Sequence, residues 1–450
     1  MKQLLWCLML GWWLGLNKAS AQPTVQPRLA AYMQAQAAVN HFAGVVLITR
    51  HDSVLLQQAY GLADYEWATP NTVDTKFALA SITKTFTALA ILQLAERDQL
   101  QLTDKLSKFF PGFPNGGAIS LHQLLTHTAG LALDFEAQYL DYTNVSRDSA
   151  LAVIQRLPVQ FAPGARVGYS NVGYYLLGQI IEKASGLPYG EYLQRHILDV
   201  AGMTSTGLNS NTVLVPQLAR LYYQEGESFV KNPYINWGLN VGHDGLYSTV
   251  GDLARLDQAL RGTQLLSEAS KALMATPHNQ RFAGNGFLDR YGYGLFVNPY
   301  YNHGHALLTH SGGFFGAMTT WDRYPEDDIL VTVLSNNEAE SNWISYGLAG
   351  ILFGKDVELP YVHRAISVAP EQLAALAGQY SSVTIRYANG QLYLQDLNTP
   401  LVPESGRKFF RPDKPDRTVE FLINKRGKVD GLRLTKGGVK EPIQRKSRTR

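Results

Sequence analysis

The hydrophobic pattern predicts strands near the start of the chain and again after residue 305. Residues 45–61 contain two apolar runs separated by a polar turn at 51–53, the pattern of a hairpin. Residues 81–96 are apolar on nearly every side and predict a buried helix. The stretch 103–197 is predicted to be mostly helical, and a helix over about 343–353 follows the last strands. Strands at both ends with helices between them predict one layered α/β domain, closed by its C-terminal segment.

The pattern changes after Pro360. Short alternating segments are separated by turn signals, and Asn389-Gly390 predicts a tight hairpin turn. We therefore predict a larger domain over residues 22–362 and a small, barrel-like all-β domain over residues 366–450.

The N-terminus has the composition of a secretory signal peptide. Lys2 precedes an apolar run too short for a bilayer span of about 20 residues, and a small-residue cleavage site ends at Ala21. We predict that residues 1–21 are removed after Ala21. The mature protein is then periplasmic or secreted, with no stable membrane span.

Composition excludes several classes of function. Hydrophobic residues make up 45% of the 450 residues, and the formal net charge of +3 gives no case for a nucleic-acid partner. The one cysteine, Cys7, lies in the predicted signal, so disulfides and thiol nucleophiles are not expected. No metal site is predicted, because His303-Gly304-His305 is interpreted as a turn.

The first candidate for chemistry is a Ser-x-x-Lys spacing at Ser81 and Lys84. Three such spacings occur, but only this one begins a long apolar helix, where both side chains share a face. Burial lowers the pKa of a lysine, so Lys84 is a candidate base for the Ser81 hydroxyl. The alternative is a lysine that extends from a buried helix to the surface.

Two further motifs are weak alone. Tyr169-Ser170-Asn171 lies between a Pro-Gly turn and an amphipathic helix, so Tyr169 is a candidate proton relay and Asn171 a candidate ligand for a substrate amide. The alternative is a tyrosine that only packs. His310-Ser311-Gly312-Gly313 ends an apolar run, where glycines allow another backbone to approach. The N–H groups of Ser81 and Gly313 are a candidate oxyanion hole.

Together, A-S-I-T-K, G-Y-S-N and H-S-G-G resemble the three active-site motifs of the serine β-lactamase and penicillin-binding protein superfamily. The resemblance covers about residues 30–355 and is closest to the class C-like branch. It implies a three-layer domain, with an antiparallel sheet between helices and a mostly helical insert. It also implies that Ser81 is acylated and that Lys84 and Tyr169 transfer protons. His310 completes the implied catalytic set and orients the substrate, which Asn171, Ser311 and Gly312 also contact.

The resemblance implies a cofactor-free serine hydrolase that acts on peptides or small molecules through an acyl-enzyme. Histidine replaces the usual lysine at position 310 and is mostly neutral at pH 7. We therefore expect D-amino-acid peptides or esters as substrates, with weak or no β-lactamase activity. The alternative is a penicillin-binding or peptidoglycan-fragment-binding protein without turnover. The sequence does not predict the oligomeric state.

Overall fold

The computed structural model describes residues 25–135, 146–225, 228–232, 234–282, 284, 286–394 and 399–447. The predicted signal peptide and its cleavage site lie outside these residues. Within them, no helix is both long enough and apolar enough to cross a membrane.

The α-helices of the described residues are α1 (Gln26–Val39), α2 (Thr83–Glu96), α3 (Leu106–Phe109), α4 (Leu121–Leu125), α5 (Arg147–Arg156), α6 (Asn171–Ser185), α7 (Tyr189–Leu193), α8 (Asp199–Ala201), α9 (Val250–Arg261), α10 (Glu268–Met274), α11 (Ser341–Leu352) and α12 (Pro370–Leu376). The strands of the first 335 residues are β1 (Gly44–Arg50), β2 (Ser53–Tyr60), β3 (Leu62–Asp64), β4 (Thr69–Pro70), β5 (Phe77–Ala78), β6 (Gly207–Leu208), β7 (Tyr222–Glu225), β8 (Ser228–Lys231), β9 (Leu246–Ser248), β10 (Phe296–Val297), β11 (Leu308–Phe314), β12 (Ala317–Tyr324) and β13 (Ile329–Ser335). The C-terminal strands are β14 (Gly378–Tyr380), β15 (Val383–Ala388), β16 (Gln391–Leu394), β17 (Pro400–Pro403), β18 (Lys408–Arg411), β19 (Lys414–Ile423), β20 (Val429–Lys436), β21 (Val439–Lys440) and β22 (Gln444–Arg445).

A six-stranded antiparallel sheet forms the centre of the larger unit, in the order β10-β11-β12-β13-β1-β2. The pairing of β1 with β13 joins the two ends of this unit, as the hydrophobic pattern predicts. The predicted hairpin is the pair β1 and β2, whose turn residues His51 and Asp52 both have positive φ.

Both faces of the sheet are covered, because successive side chains of a strand point to opposite faces. On β1, Val45 and Leu47 pack in the core that includes α2, α6 and α9. Val46 and Ile48 pack in a second core with α1 and α11. The sheet is therefore the middle of three layers, which confirms the predicted fold class.

The segment between β2 and β11 differs in detail from its prediction. Residues 103–197 contain α3 to α7, but α3, α4 and α7 have only four or five residues each and loops separate the helices, so "mostly helical" overstates the helical content. Short strands that the sequence did not predict also occur here, including the three-stranded sheet β5-β9-β6. Strands of two or three residues are too short to show a periodic pattern.

The C-terminal strands form one antiparallel sheet in the order β14 to β21, with β22 paired to β20. A bridge between Tyr380 and Lys446 connects the first strand to the end of the last. The sheet thus closes around a core of its own, as a barrel does. Asn389 and Gly390 both have positive φ and form the predicted turn between β15 and β16.

The close approach of β11 to the Ser81 segment requires glycine at position 312. A Cβ atom on Gly312 would overlap the carbonyl oxygen of Leu79 and the hydroxyl of Thr319. The hydroxyl of Thr319 also donates to that carbonyl at 2.7 Å. A Cβ atom on the next residue, Gly313, would meet only the sulfur of Met318 at an ordinary 3.6 Å.

We expect Gly312→Ala to lower the free energy of unfolding by about 1–3 kcal/mol, because an overpacked core must shift to accommodate the added methyl group. Urea unfolding measures this change. Gly313→Ala is the matched control and should leave the stability nearly unchanged. Equal effects of the two substitutions would contradict the packing role assigned to Gly312.

Candidate active site

Ser81 lies at the floor of a cleft, in a 3₁₀ turn (Ala80–Ile82) that leads directly into α2. The residue before it, Ala80, has a φ of 48°, a left-handed conformation that is strained for a residue with a Cβ atom. A hydrogen bond from the N–H of Leu79 to the carbonyl of Leu246 holds this segment against β9. The serine is 9% exposed and lines the cleft.

Lys84 lies one turn further along and does not extend to the surface, so the snorkelling alternative is wrong. The residue is 0% exposed, and its Nζ atom lies 2.8 Å from Oγ of Ser81. The same Nζ atom also donates to the carbonyl of His243 at 3.1 Å. Burial lowers the pKa of Lys84, and the neighbouring carboxylate of Asp244 opposes that shift.

Asp244 is a site residue that the motif analysis missed. It is 2% exposed, and its Oδ1 atom accepts a hydrogen bond from Oγ of Ser81 at 2.9 Å and lies 3.5 Å from Nζ of Lys84. Burial would raise the pKa of this carboxyl, but the charges of Lys84 and His243 and the Ser81 hydrogen bond hold it below its usual value.

The pairing of β5 with β9 explains why Asp244 meets Ser81. Phe77 pairs with Ser248, and Ala78 pairs with Tyr247. Extension of this antiparallel register by three residues sets position 81 opposite position 244. Residues far apart in sequence thus meet through two very short strands.

Tyr169 lies at the entrance to α6, which begins after it because Ser170 caps the helix by accepting from the N–H of Gly173 at 3.0 Å. The Tyr169 ring stacks on His127 at 4.2 Å, and Nζ of Lys84 lies 5.0 Å from its centroid. Burial raises the pKa of Tyr169, and a hydrogen bond with Ser81 opposes that shift. The phenol is therefore protonated at neutral pH and next to the serine.

His310 is a neutral imidazole in the wall of the cleft. Its Nδ1 atom lies 2.7 Å from the carbonyl oxygen of Ser311, which can only accept, so Nδ1 carries the proton. Its Nε2 atom then accepts from the Tyr291 hydroxyl at 3.0 Å. Burial, with a smaller contribution from the charge of Lys84, lowers the pKa of His310 to about 3.

The remaining predicted site residues divide into two groups. Ser311 and Gly313 line the same cleft as Ser81. Asn171 is buried beside it, with its amide nitrogen 2.6 Å from Oδ1 of Asp134, and it is not part of the cleft wall. Gly312 is a packing residue against Leu79, as described above.

The cleft has a volume of about 460 Å³ and is strongly aromatic. Beyond the motif residues, its lining consists of Phe287, Phe296, Tyr300, Tyr301, Asn342 and Trp343. Trp343 belongs to α11. The guanidinium of Arg417, a residue of the C-terminal barrel, lies over the Trp343 ring, 4.7 Å from the ring centroid. This aromatic wall could not be predicted from the sequence, because isolated aromatic residues carry no motif.

A serine and a lysine in direct contact at the floor of a cleft, in this three-layer fold, define a serine hydrolase of the penicillin-binding-protein type. The profile of the family described as Beta-lactamase matches residues 29–343. The chain therefore belongs to the Beta-lactamase family.

Relatives extend beyond the matched region. Penicillin-binding protein 4* of Bacillus subtilis (strain 168) is 29% identical over 409 residues, which cover 82% of this chain and 88% of that protein. Teichoic acid D-alanine hydrolase of Staphylococcus aureus is 27% identical over 66% of this chain and 70% of its own length. The structure of the octameric penicillin-binding protein homologue from Pyrococcus abyssi superposes with a TM-score of 0.67 at 26% identity, and covers 93% of this chain and 99% of that one.

The burial of His310 makes a prediction about stability and pH. The pKa of His310 is about 3 in the folded protein and about 6.5 in an unfolded chain, so the unfolded chain takes up this proton first as the pH falls. The contribution of neutral His310 to the unfolding free energy is therefore fully present above about pH 6.5 and is lost as the pH falls toward 3. The difference in unfolding free energy between wild type and His310→Gln should fall by about 2 kcal/mol from pH 7 to pH 5.

Urea unfolding of both proteins at the two pH values provides the measurement. Subtracting the unfolding free energy of the variant from that of the wild type removes the contributions of the other titrating groups. A difference that does not change with pH would mean that His310 is protonated as readily in the folded protein as in the unfolded chain.

Proposed function

We propose that this protein is an exported hydrolase that cleaves ester or amide bonds through an acyl-enzyme on Ser81. Ser81 attacks the carbonyl carbon, and the N–H groups of Ser81 and Gly313 stabilise the oxyanion. Lys84 and Tyr169 transfer protons. The observation that carries this proposal is the 2.8 Å contact between Lys84 and Ser81 at the floor of an open cleft. One oxyanion donor typically contributes about 3 kcal/mol to transition-state stabilisation.

The lining of the cleft favours aromatic or apolar substrates that have no free carboxylate. Among the described residues, no lysine or arginine lines the cleft, and the ammonium of Lys84 lies buried below Ser81. His310 is neutral and offers a substrate carboxylate no charge. A carboxylate would lose its hydration in this cleft without gaining a cationic partner, which is unfavourable.

A D-aminoacyl ester or amide agrees with this chemistry. The Staphylococcus relative is named as a hydrolase of D-alanine from teichoic acid. In an acyl group of that kind the amino acid's own carboxyl is esterified, so no free carboxylate enters the cleft. We propose D-aminoacyl esters and amides as the physiological substrate class.

We further propose that residues 366–450 are a separate domain that supports the cleft. Glu340, next to α11, forms ion pairs with Lys414 and Arg417 of the barrel. Arg417 also covers the ring of Trp343, which lines the cleft. The barrel thus holds one wall of the cleft from behind.

Covalent labelling tests the proposed nucleophile. A fluorophosphonate should add one adduct to the wild type, and Ser81→Ala should abolish the adduct because it removes the attacking oxygen. Intact-protein mass spectrometry gives the mass shift, and peptide mapping gives its position. An adduct that persists in Ser81→Ala would show that another residue reacts.

Time courses of the same measurement with 4-nitrophenyl esters separate a hydrolase from a binding protein. A hydrolase loses its acyl group and turns over repeatedly. A stoichiometric burst of nitrophenol with a stable adduct would instead support a penicillin-binding function without turnover.

Ester pairs test the substrate class. We expect 4-nitrophenyl phenylacetate to have a kcat/KM at least about tenfold higher than the same ester with a carboxylate on the acyl ring, because the carboxylate lacks a cationic partner. His310→Lys should lower the ratio of the two kcat/KM values. Preference for the carboxylate ester, or rapid turnover of nitrocefin, would contradict the proposal.

A further inference from the structure

The contact between Asp244 and the nucleophile has no role in the proton transfers described above. Oδ1 of Asp244 lies 2.9 Å from Oγ of Ser81, closer than its 3.5 Å separation from Nζ of Lys84. Among the described residues, no other carboxylate makes a hydrogen bond to Ser81. The inference below rests on the proposed acylation of Ser81.

Hydrogen-bond geometry determines where the protons lie. The carbonyl of His243 can only accept, so one N–H of Lys84 points to it. If the single proton of Ser81 pointed to Lys84, Oγ and the carboxylate oxygen of Asp244 would face each other at 2.9 Å without a proton between them. That arrangement is repulsive. The favourable arrangement has Ser81 donating to Asp244 and Lys84 donating to Ser81.

We propose that Asp244 is a catalytic residue, the base that accepts the Ser81 proton, and that Lys84 acts as an ammonium. The cation lies 2.8 Å from Oγ and stabilises the negative charge that develops on the oxygen as the proton leaves. A buried ion pair of this kind is already in place before substrate binds, so no reorganisation is needed.

The other groups near Asp244 are compatible with this assignment. His243 lies 3.7 Å away, and burial lowers its pKa to about 4, so it is neutral at pH 7. His310 is neutral, as described above. Burial raises the pKa of Tyr169, which stays protonated. Asp134 is close enough to favour the charged form of Lys84, and so adds to the effect of Asp244.

Acylation by this route conserves protons. The bond between Oγ and the acyl carbon forms while the Ser81 proton moves to Asp244, and the bond to the leaving group then breaks. The leaving group takes a proton from Lys84, and Asp244 returns its proton to Lys84. The acyl-enzyme and the protonated leaving group are the products, and Asp244 is again ionised.

Asp244→Asn distinguishes this mechanism from one in which neutral Lys84 is the base. We expect the second-order rate of fluorophosphonate labelling to fall by at least about 100-fold, since the amide keeps the shape but has no basicity. With an aryl ester, kcat should fall while KM stays nearly unchanged. If Lys84 were the base, loss of the carboxylate would ease its deprotonation. Labelling as fast as in wild type, or faster, would overturn the proposal.

Asp257→Asn is the matched control. Asp257 is also buried and ion-paired, with Arg323 at 3.3 Å and Arg261 at 3.5 Å, but it makes no contact with Ser81. It should label at the wild-type rate. The wild-type adduct is measured first. If the wild type forms no adduct, the proposed function fails. If the wild type is labelled and Asp244→Asn is labelled equally fast, only the assignment of Asp244 as the base fails.

The wild-type pH profile gives a second test that does not depend on folding of a variant. The labelling rate should stay level from about pH 8 to about pH 5, because in this mechanism Asp244 acts as the ionised base and Lys84 as the ammonium throughout that range. Its decline should begin only in the carboxylate range, near pH 4 or below. A rate that rises steadily through the neutral range, as titration of a lysine base would give, would overturn the proposal.

Discussion

The ion pair of Lys84 and Asp244 is the interaction on which the site depends. An ammonium that is fully withdrawn from water is costly unless a carboxylate and hydrogen-bond acceptors compensate it. Here all three hydrogen-bond donors of the Lys84 ammonium have an acceptor, namely the Asp244 carboxylate, the carbonyl of His243 and the hydroxyl of Ser81. Removal of one partner from such a buried pair typically costs about 3–5 kcal/mol. The same contacts therefore orient the nucleophile and stabilise the helix that carries it.

Much of the fold around this pair is arranged to bring its two members together. The sheet fixes β11 next to the turn that carries Ser81, and Gly312 allows the two backbones to touch. The β5–β9 pairing delivers Asp244 from a loop more than 150 residues away in the chain. The left-handed conformation of Ala80 then presents Ser81 to the cleft.

The sequence predicted features that carry a repeating pattern or a motif. The apolar runs of β1 and β13, the apolar helix α2 and the turn at Asn389-Gly390 all have local signals, and the structure has each of them. Ser81 and Lys84 were found because their spacing falls on one helix face. Asp244 was not found, because it reaches the site through strands of two or three residues. Contacts to Asp134 and Leu79 likewise depend on tertiary packing, so the surroundings of Asn171 and Gly312 could not be predicted.

The most direct test of acyl transfer at Ser81 is a crystal structure with an arylboronic acid, which mimics the tetrahedral intermediate of the reaction. We expect a bond between boron and Oγ of Ser81, with one boronate oxygen within hydrogen-bond distance of the N–H groups of Ser81 and Gly313. The aryl group should lie against the aromatic wall that includes Trp343. A boronate bound elsewhere, or one whose oxygens all point away from Gly313, would contradict this expectation.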